Sequence, residues 1–188
     1  YGAALSTVRR TVKLLTHLGV VRSFHGKGTL VCMSPENADL SQPDIQVVLD
    51  FYLESLQLLA WTARQVSLFT LRSASRQALD ALALGFGQSR QARKSYLFIE
   101  TFLSFVAGHC PSAMGRECYG KLKELLACGY PVTLLRFKQE SLHEGYFSAL
   151  SQAEAHLAAR DFEGFADGWG SFLEREERQV RAFLKNAR

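Results

Sequence analysis

Short hydroxyl side chains and basic side chains are interleaved near the start of the chain, a combination suited to binding phosphate groups. The set consists of Ser6, Thr7, Arg9, Arg10 and Lys13. An arginine can grip a phosphate or a guanine edge through two N–H groups, and a short hydroxyl can donate to a phosphate oxygen. These residue types therefore point to contacts with a nucleic acid.

The excess positive charge of the chain lies within residues 1–33. This segment contains five Lys or Arg residues and no Asp or Glu, although the whole 188-residue chain is nearly balanced, with 22 basic and 18 acidic residues. The remainder of the chain is therefore slightly acidic. An acid-free segment beside a balanced one is typical of a polyanion-binding module joined to a part with another role.

A helix followed by a β-hairpin is predicted to position these side chains. Apolar residues recur at spacings of three and four over residues 5–18, which favours an amphipathic helix. This stripe consists of Val8, Val12, Leu15 and Leu18. Gly19 is suited to end the helix. Two β-prone runs, 20–24 and 29–33, flank a turn with two glycines, which indicates a hairpin.

The order of these elements is that of the recognition helix and wing of a winged helix-turn-helix. Such a helix enters the major groove, and the wing lies against the backbone or in the minor groove. Glycines at the wing tip allow a close approach to phosphates, and a lysine there adds positive charge. The predicted DNA contacts are Ser6, Thr7, Arg9, Arg10, Lys13, His25, Gly26, Lys27 and Gly28. A basic helix and hairpin from an unrelated fold is the alternative that composition alone leaves open.

The two motif blocks together resemble the GntR family of bacterial repressors. They read Tyr-Gly-Ala-Ala-Leu-Ser-Thr-Val-Arg-Arg at 1–10, Leu-Gly-Val-Val at 18–21 and Gly-Lys-Gly-Thr-Leu-Val at 26–31. The resemblance covers about the first thirty residues. It implies a transcription regulator that binds double-stranded DNA as a homodimer on a pseudo-palindromic operator. It also implies that Ser6, Thr7, Arg9 and the wing tip contact DNA.

Three departures from the family pattern bear on this expectation. Ala4 stands where the family usually has a helix-capping serine, which weakens the cap. Leu5 stands where a polar or basic DNA contact is common, so the preferred DNA site is expected to differ. The sequence begins at the recognition helix, without the two helices that precede it in the fold. We therefore expect residues 1–33 to form a partial winged helix.

The rest of the chain is predicted to be a linker and an all-α antiparallel bundle. Residues 34–44 contain two prolines and no apolar periodicity, which is typical of a linker. Residues 45–188 break into helical runs without a convincing strand. These runs are 45–69, 75–84, 88–107, 112–127, 139–159 and 161–185. The fold class is therefore mainly α, with six or seven helices after the hairpin.

An all-helical C-terminal domain in a GntR-like chain resembles the FadR-like, or FCD, subgroup, which implies effector binding and dimerisation. Many FCD domains hold a divalent metal with one Asp and three His. The matching positions here are Tyr96, Glu100, Leu150 and Phe172, and none keeps its usual ligand. We therefore expect no metal and no other cofactor in this domain.

The aromatic residues of the helical region suggest how a small-molecule effector could bind without a metal. The hypothesis is an apolar cavity for a hydrophobic or acyl-type effector, with Arg64 or Arg93 available for an acidic head group. The candidate residues are Arg64, Arg93, Glu100, Phe102, Phe105, Trp169 and Phe172. Ordinary core filling by the aromatics and solvated surface roles for the arginines are the competing interpretation.

Enzyme signatures are missing from the sequence. It has no Gly-x-Ser-x-Gly motif and no Walker-type loop. Glu174, Glu176 and Glu177 lie among arginines and are interpreted as a solvated charged face. The four cysteines are expected to be free thiols in a soluble, cytoplasmic protein without a membrane span. Besides a non-enzymatic regulator, the alternatives are a helical dimerisation module with a non-functional DNA-binding remnant and, less favoured, a small-molecule-binding protein or an enzyme.

Overall fold

A helix and a hairpin precede a helical bundle, so the predicted fold class is confirmed. The computed structural model describes residues 4–17, 20–24, 28–31, 42–92, 97–127, 129, 132–133, 136 and 140–186. The helices are α1 Leu5–His17, α2 Pro43–Ser73, α3 Arg76–Gln91, α4 Leu97–His109, α5 Ala113–Ala127, α6 Glu140–Ala159 and α7 Phe162–Asn186, and the strands are β1 Val21–Phe24 and β2 Gly28–Val31.

The hairpin pairs β1 and β2 in antiparallel register. Val21 pairs with Val31 and Phe24 pairs with Gly28. Gly28 has a φ of 89°, a left-handed conformation that suits the residue after a three-residue hairpin loop. A hydrogen bond connects the end of helix α1 to the residue before β1: the backbone N–H of Val20 donates to the carbonyl of Leu15 at 2.9 Å.

The bundle is organised around α2 and α7, which pack along each other. Aromatic and aliphatic side chains of α2 to α7 form the main core. A second apolar cluster lies towards the N-terminal end of α2. This second cluster consists of Ile45, Leu49, Tyr52, Leu53, Leu56, Val132, Val180 and Leu184. Leu14 of α1 and Val20 pack against it, so the N-terminal segment is joined to the bundle by apolar contacts.

Two predicted helix boundaries in the bundle are wrong. Helix α3 does not stop at Leu84 but continues through Gly85 and Gly87 to Gln91. The predicted helix over 88–107 is therefore two elements, since α4 begins only at Leu97. Phe86 and Ser89 are buried on the core face of α3. Because this burial stabilises the continued helix, it outweighs the roughly 1 kcal/mol that a helical glycine costs.

The start of α2 also differs from the prediction. Pro43 occupies the first turn of α2, so the helix begins at the end of the predicted linker. A proline is favoured there because its missing N–H would have no partner within the helix. In the described part of the chain, Cys110 and Cys118 are free thiols, while Cys32 and Cys128 lie outside it. No helix of that part is both long and apolar enough to cross a membrane.

Candidate functional site

The basic side chains of α1 lie on one exposed face of the helix. Ser6, Arg9, Arg10 and Lys13 fall within an arc of roughly 100°, given 3.6 residues per turn, and all four are exposed. The N–H groups of the first turn of α1 lie at the same end as Ser6. The arrangement presents a cationic surface with a hydroxyl near the helix N-terminus, which is chemistry suited to phosphate.

Thr7 lies away from this basic face. It is exposed but sits roughly 160° around the helix from Arg9. Its carbonyl accepts a hydrogen bond from the Thr11 hydroxyl at 3.0 Å. Thr7 is therefore on the side of α1 that includes Leu14, whose side chain packs against the second cluster.

The described part of the predicted wing consists of its two strands without the tip between them. Ser23 and Thr29 face each other across the strands with their hydroxyl oxygens 2.9 Å apart, and Gly28 opens β2. His25, Gly26 and Lys27, the predicted wing tip, lie outside the described residues. Within the described residues, Arg9, Arg10 and Lys13 make no ion pair, so no acidic side chain there neutralises the basic face.

A cavity of about 500 Å³ lies in the bundle, between α2, α4, α5, α6 and α7. Its lining is predominantly apolar, with polar groups at a few points. The described lining residues are Tyr52, Leu56, Leu97, Ile99, Glu100, Leu103, Lys123, Glu124, Leu126, Ala127, Thr133, Tyr146 and Glu176. A volume of this size with a predominantly apolar surface is a feature of a small-molecule site.

A buried ion pair includes Glu176, one of the polar residues that line this cavity. Two of the three guanidinium nitrogens of Arg136 donate to Glu176, Nη1 at 2.5 Å to Oε1 and Nη2 at 3.2 Å to Oε2. The side chains are only 5% and 2% exposed. Arg136 Nη2 also donates to Gln179 Oε1 at 3.2 Å. Burial opposes the charge on Arg136, but the hydrogen bond and charge of Glu176 outweigh burial and raise the pKa of the guanidinium.

Two tyrosine hydroxyls stand beside the ion pair. Tyr146 hydrogen-bonds to Glu176, and the Tyr52 hydroxyl lies near Thr133. Burial raises the pKa of Tyr52 and Tyr146 well above the usual value for tyrosine, and the charge of Glu176 raises both further. Both phenols are therefore neutral across the physiological range, so this wall offers neutral hydroxyls and an already paired carboxylate.

Gly129 determines where the Tyr52 ring can lie. A Cβ built on Gly129 would overlap the Tyr52 ring, so no other side chain fits at this position without a shift. The carbonyl of Gly129 accepts hydrogen bonds from the Thr133 backbone N–H at 3.0 Å and from the Thr133 hydroxyl at 3.3 Å. The absence of a side chain at position 129 thus lets Tyr52 and Thr133 meet at the cavity wall.

Charged side chains occur at the edge of the cavity formed by α4 and α5. Glu100 and Glu124 contribute carboxylates, and Lys123 contributes an ammonium that donates to the Ser104 hydroxyl at 3.3 Å. Glu124 accepts from Lys121 at 2.9 Å. The described lining therefore contains more carboxylates than unpaired cations, and the one arginine near it is bound to Glu176.

Most of the predicted effector residues do not line the cavity. Glu100 lies on its wall, whereas Phe102, Phe105, Trp169 and Phe172 are buried in the main core. Their rings pack on one another, with centroids 4.9 Å apart for Phe102 and Trp169. Only a void of about 10 Å³ adjoins Trp169 and Phe172, too small for an effector.

The two arginines predicted to hold a head group do not line the described cavity wall. Arg64 binds Asp167 and, at 3.0 Å, Glu163 on the outer surface of α7. Arg93 lies outside the described residues. Of the positions that match the FCD metal ligands, Leu150 and Phe172 are core residues and Tyr96 is not described. No group of three His, Cys, Asp or Glu suited to a metal occurs in the described part of the chain.

Glu176 is the main residue whose environment was predicted wrongly from the sequence. It is buried rather than part of a solvated charged face, because it lies on the apolar side of α7. That side comprises Phe165, Trp169, Phe172, Leu173, Glu176, Val180 and Leu184. The sequence did contain a signal for this burial, because Glu176 lies at helical spacing from the apolar residues Phe172, Leu173 and Val180. Arg136, its partner, comes from a stretch without clear periodicity.

Comparison with known proteins leaves the family open. No family model matches the chain, and no curated protein matches it. Among solved structures, Streptococcus agalactiae GntR is similar over 94% of this chain and 82% of that one, at 13% sequence identity and a TM-score of 0.42. These values are too low to assign a family or an activity.

Proposed function

We propose that this protein is a DNA-binding transcription regulator of the GntR type, not an enzyme, acting as a homodimer in the cytoplasm. The observation that carries the proposal is the exposed basic face of α1 beside a hairpin, in a segment without Asp or Glu. Ser6, Arg9, Arg10 and Lys13 would contact the major groove and its phosphates. Thr7 and the wing residues His25, Gly26, Lys27 and Gly28 would complete the contact.

We further propose that the 500 Å³ cavity takes a small-molecule effector. The polar groups on its described wall are neutral phenols, the hydroxyl of Thr133, a carboxylate already paired with Arg136 and, at the edge formed by α4 and α5, the charged groups of Glu100, Lys123 and Glu124. This chemistry favours a largely apolar molecule with a neutral hydrogen-bonding group over one with a free carboxylate, since the described wall holds three carboxylates against one lysine and Arg136 is already paired.

The second cluster supplies a physical route from the cavity to the DNA-binding segment. Tyr52 and Leu56 line the cavity and also belong to that cluster, against which Leu14 and Val20 pack. A ligand that displaces Tyr52 would change the surface on which α1 rests. Coupling of this kind is typically worth about 1–3 kcal/mol, or roughly 5- to 150-fold in DNA affinity.

The DNA-binding proposal is tested by titrating the full-length protein with double-stranded DNA from upstream of its own gene at two salt concentrations. We expect a steep salt dependence, because each phosphate contact adds about 0.9 to the logarithmic slope. Arg9→Ala should weaken binding at least tenfold, whereas Arg76→Ala, on exposed α3, should not. Flat and negligible binding would instead favour a helical interaction module with a non-functional remnant.

The effector proposal needs a separate measurement. Thermal unfolding is followed with a medium-chain alcohol and with the carboxylate of the same length. The alcohol is expected to raise the melting temperature more, and Tyr146→Phe should reduce that shift. A larger shift from the carboxylate would show that the polar wall carries a cation free to bind an anion.

A further inference from the structure

The outer face of α2 exposes large apolar side chains along its length. Trp61 is 72% exposed and Phe51 is 54% exposed, and Val47, Leu58 and Phe69 are exposed as well. In an isolated chain this stripe places three aromatic rings in water. It runs for roughly 33 Å from Val47 to Phe69, at 1.5 Å per residue. An exposed row of large apolar side chains bordered by polar residues is typical of an interface.

The stripe follows a seven-residue repeat. Alternating steps of four and three residues connect Val47, Phe51, Glu54, Leu58, Trp61, Gln65, Leu68 and Arg72. A mean spacing of 3.5 residues is the period of a coiled-coil seam, in which the same face of two helices stays in contact over several turns. The pattern therefore fits a straight helical partner better than a globular surface.

Charge along α2 identifies the orientation of that partner. The N-terminal half of the helix contains Asp44, Asp50 and Glu54 and no Lys or Arg, whereas the C-terminal half contains Arg64 and Arg72 and no acidic residue. Arg64 and Arg72 already bind Glu163 and Asp167 of α7, so they add little attraction to a second copy. An antiparallel pair nevertheless keeps Glu54 of one copy away from Glu54 of the other, and does the same for Arg72. A parallel pair would place like charges together, which is unfavourable.

The same repeat is self-complementary about a two-fold axis between Leu59 and Ala60. In that register, Leu58 meets Trp61 of the second copy, Glu54 meets Gln65, and Phe51 meets Leu68. Apolar residues thus face apolar residues in the central layers, one internal polar layer joins a carboxylate to an amide that can donate to it, and Val47 meets Arg72 at each end. The contact is isologous, as expected for a closed dimer.

The available area is compatible with a stable dimer. The five exposed apolar residues offer roughly 500 Å² in total, because large aromatic side chains carry 150–250 Å² each. A standard interface buries roughly 800 Å² per partner, so the polar residues that flank the stripe would have to supply the remainder. We propose that the outer face of α2 is the dimer interface, and that it binds α2 of a second copy in antiparallel orientation. This inference rests on the homodimer of the proposed function.

Sedimentation velocity of the full chain tests the interface. We expect a dimer at micromolar concentration. Trp61→Glu should raise its dissociation constant at least 100-fold, because two carboxylates enter the centre of the contact. Leu84→Glu on α3 replaces a residue that is 65% exposed and lies off the stripe, so it should leave the dimer unchanged. Leu58→Lys is a second probe should Trp61→Glu fail to fold. A monomeric wild type, or a dimer unaffected by the stripe substitutions, overturns the proposal.

Spin labels test the orientation, in a background with the cysteines replaced by serine. In the antiparallel register, two labels at Asp50→Cys are offset by about 29 Å along the axis, and two at Gln57→Cys by about 8 Å. A parallel pair gives similar short distances at both sites and contradicts the proposal. The dimer and the proposed function can fail separately: a dimer that does not bind DNA refutes only the regulator, and DNA binding by a protein without this interface refutes only the interface.

Discussion

Arg136 and Glu176 join the segment after α5 to α7 through a two-pronged ion pair beside the cavity. Besides contributing to stability, the pair positions neighbouring side chains. Glu176 also hydrogen-bonds to Tyr146, so two side chains from separate parts of the chain, Arg136 and Tyr146, share its carboxylate. Since all three are buried, each depends on the others for its hydrogen bonds, and the polar wall of the cavity is held as a unit.

The first prediction is that removing one charge of this pair is costly. Glu176→Gln leaves the Arg136 guanidinium buried without a counter-charge, so we expect a loss of about 3–5 kcal/mol in the free energy of unfolding. Urea denaturation at pH 7 measures it. Glu174→Gln on the exposed side of α7 is the matched control and should change stability by less than about 0.5 kcal/mol. Equal effects of the two substitutions would show that the pair is not closed in solution.

A second prediction concerns the contact between Gly129 and Tyr52. Gly129→Ala forces the Tyr52 ring away from the wall, and we expect a loss of about 1–3 kcal/mol, as for other overpacked sites. Gly120→Ala is an informative control, because nothing lies within 4 Å of the added Cβ. In helix α5 that change should stabilise by about 0.5–1 kcal/mol. Effects of opposite sign in urea denaturation are the expected result, and a stabilised Gly129→Ala variant would contradict the contact.

A third prediction follows from Tyr119, which shares a hydrogen bond of 2.9 Å with Thr62. Burial raises the pKa of Tyr119 to about 12, above the usual value of 10.0. The folded state therefore favours the neutral phenol. Its contribution to stability is complete below about pH 10 and is lost as the pH rises towards 12. Denaturation from pH 9 to 12 should show a shallower decline for Tyr119→Phe than for the wild type. Identical pH profiles would mean that the phenol ionises normally.

Local sequence patterns predicted most helices and the hairpin, but they did not predict which side chains meet at the polar wall of the cavity. The helix at 5–17 and the hairpin follow from short-range signals, namely apolar spacing and a glycine-rich turn. The α3 boundary was wrong because burial of Phe86 outweighs the local preference of two glycines. The cavity wall was missed because Tyr52, Arg136 and Glu176 are far apart in sequence. Their meeting depends on how α2, α7 and the segment after α5 pack, which no local period encodes.

The last prediction separates a phosphate contact from other causes of DNA binding. Lys13 is a point charge on the exposed face of α1, so Lys13→Gln should lower the logarithmic salt slope by about one and weaken binding to all sequences alike. Lys121→Gln removes the same charge from exposed α5, where Lys121 pairs with Glu124. If net charge alone drives binding, both substitutions will reduce the slope equally. If α1 is the DNA-binding element, only Lys13→Gln will reduce it, because counterions are released only where a side chain meets a phosphate.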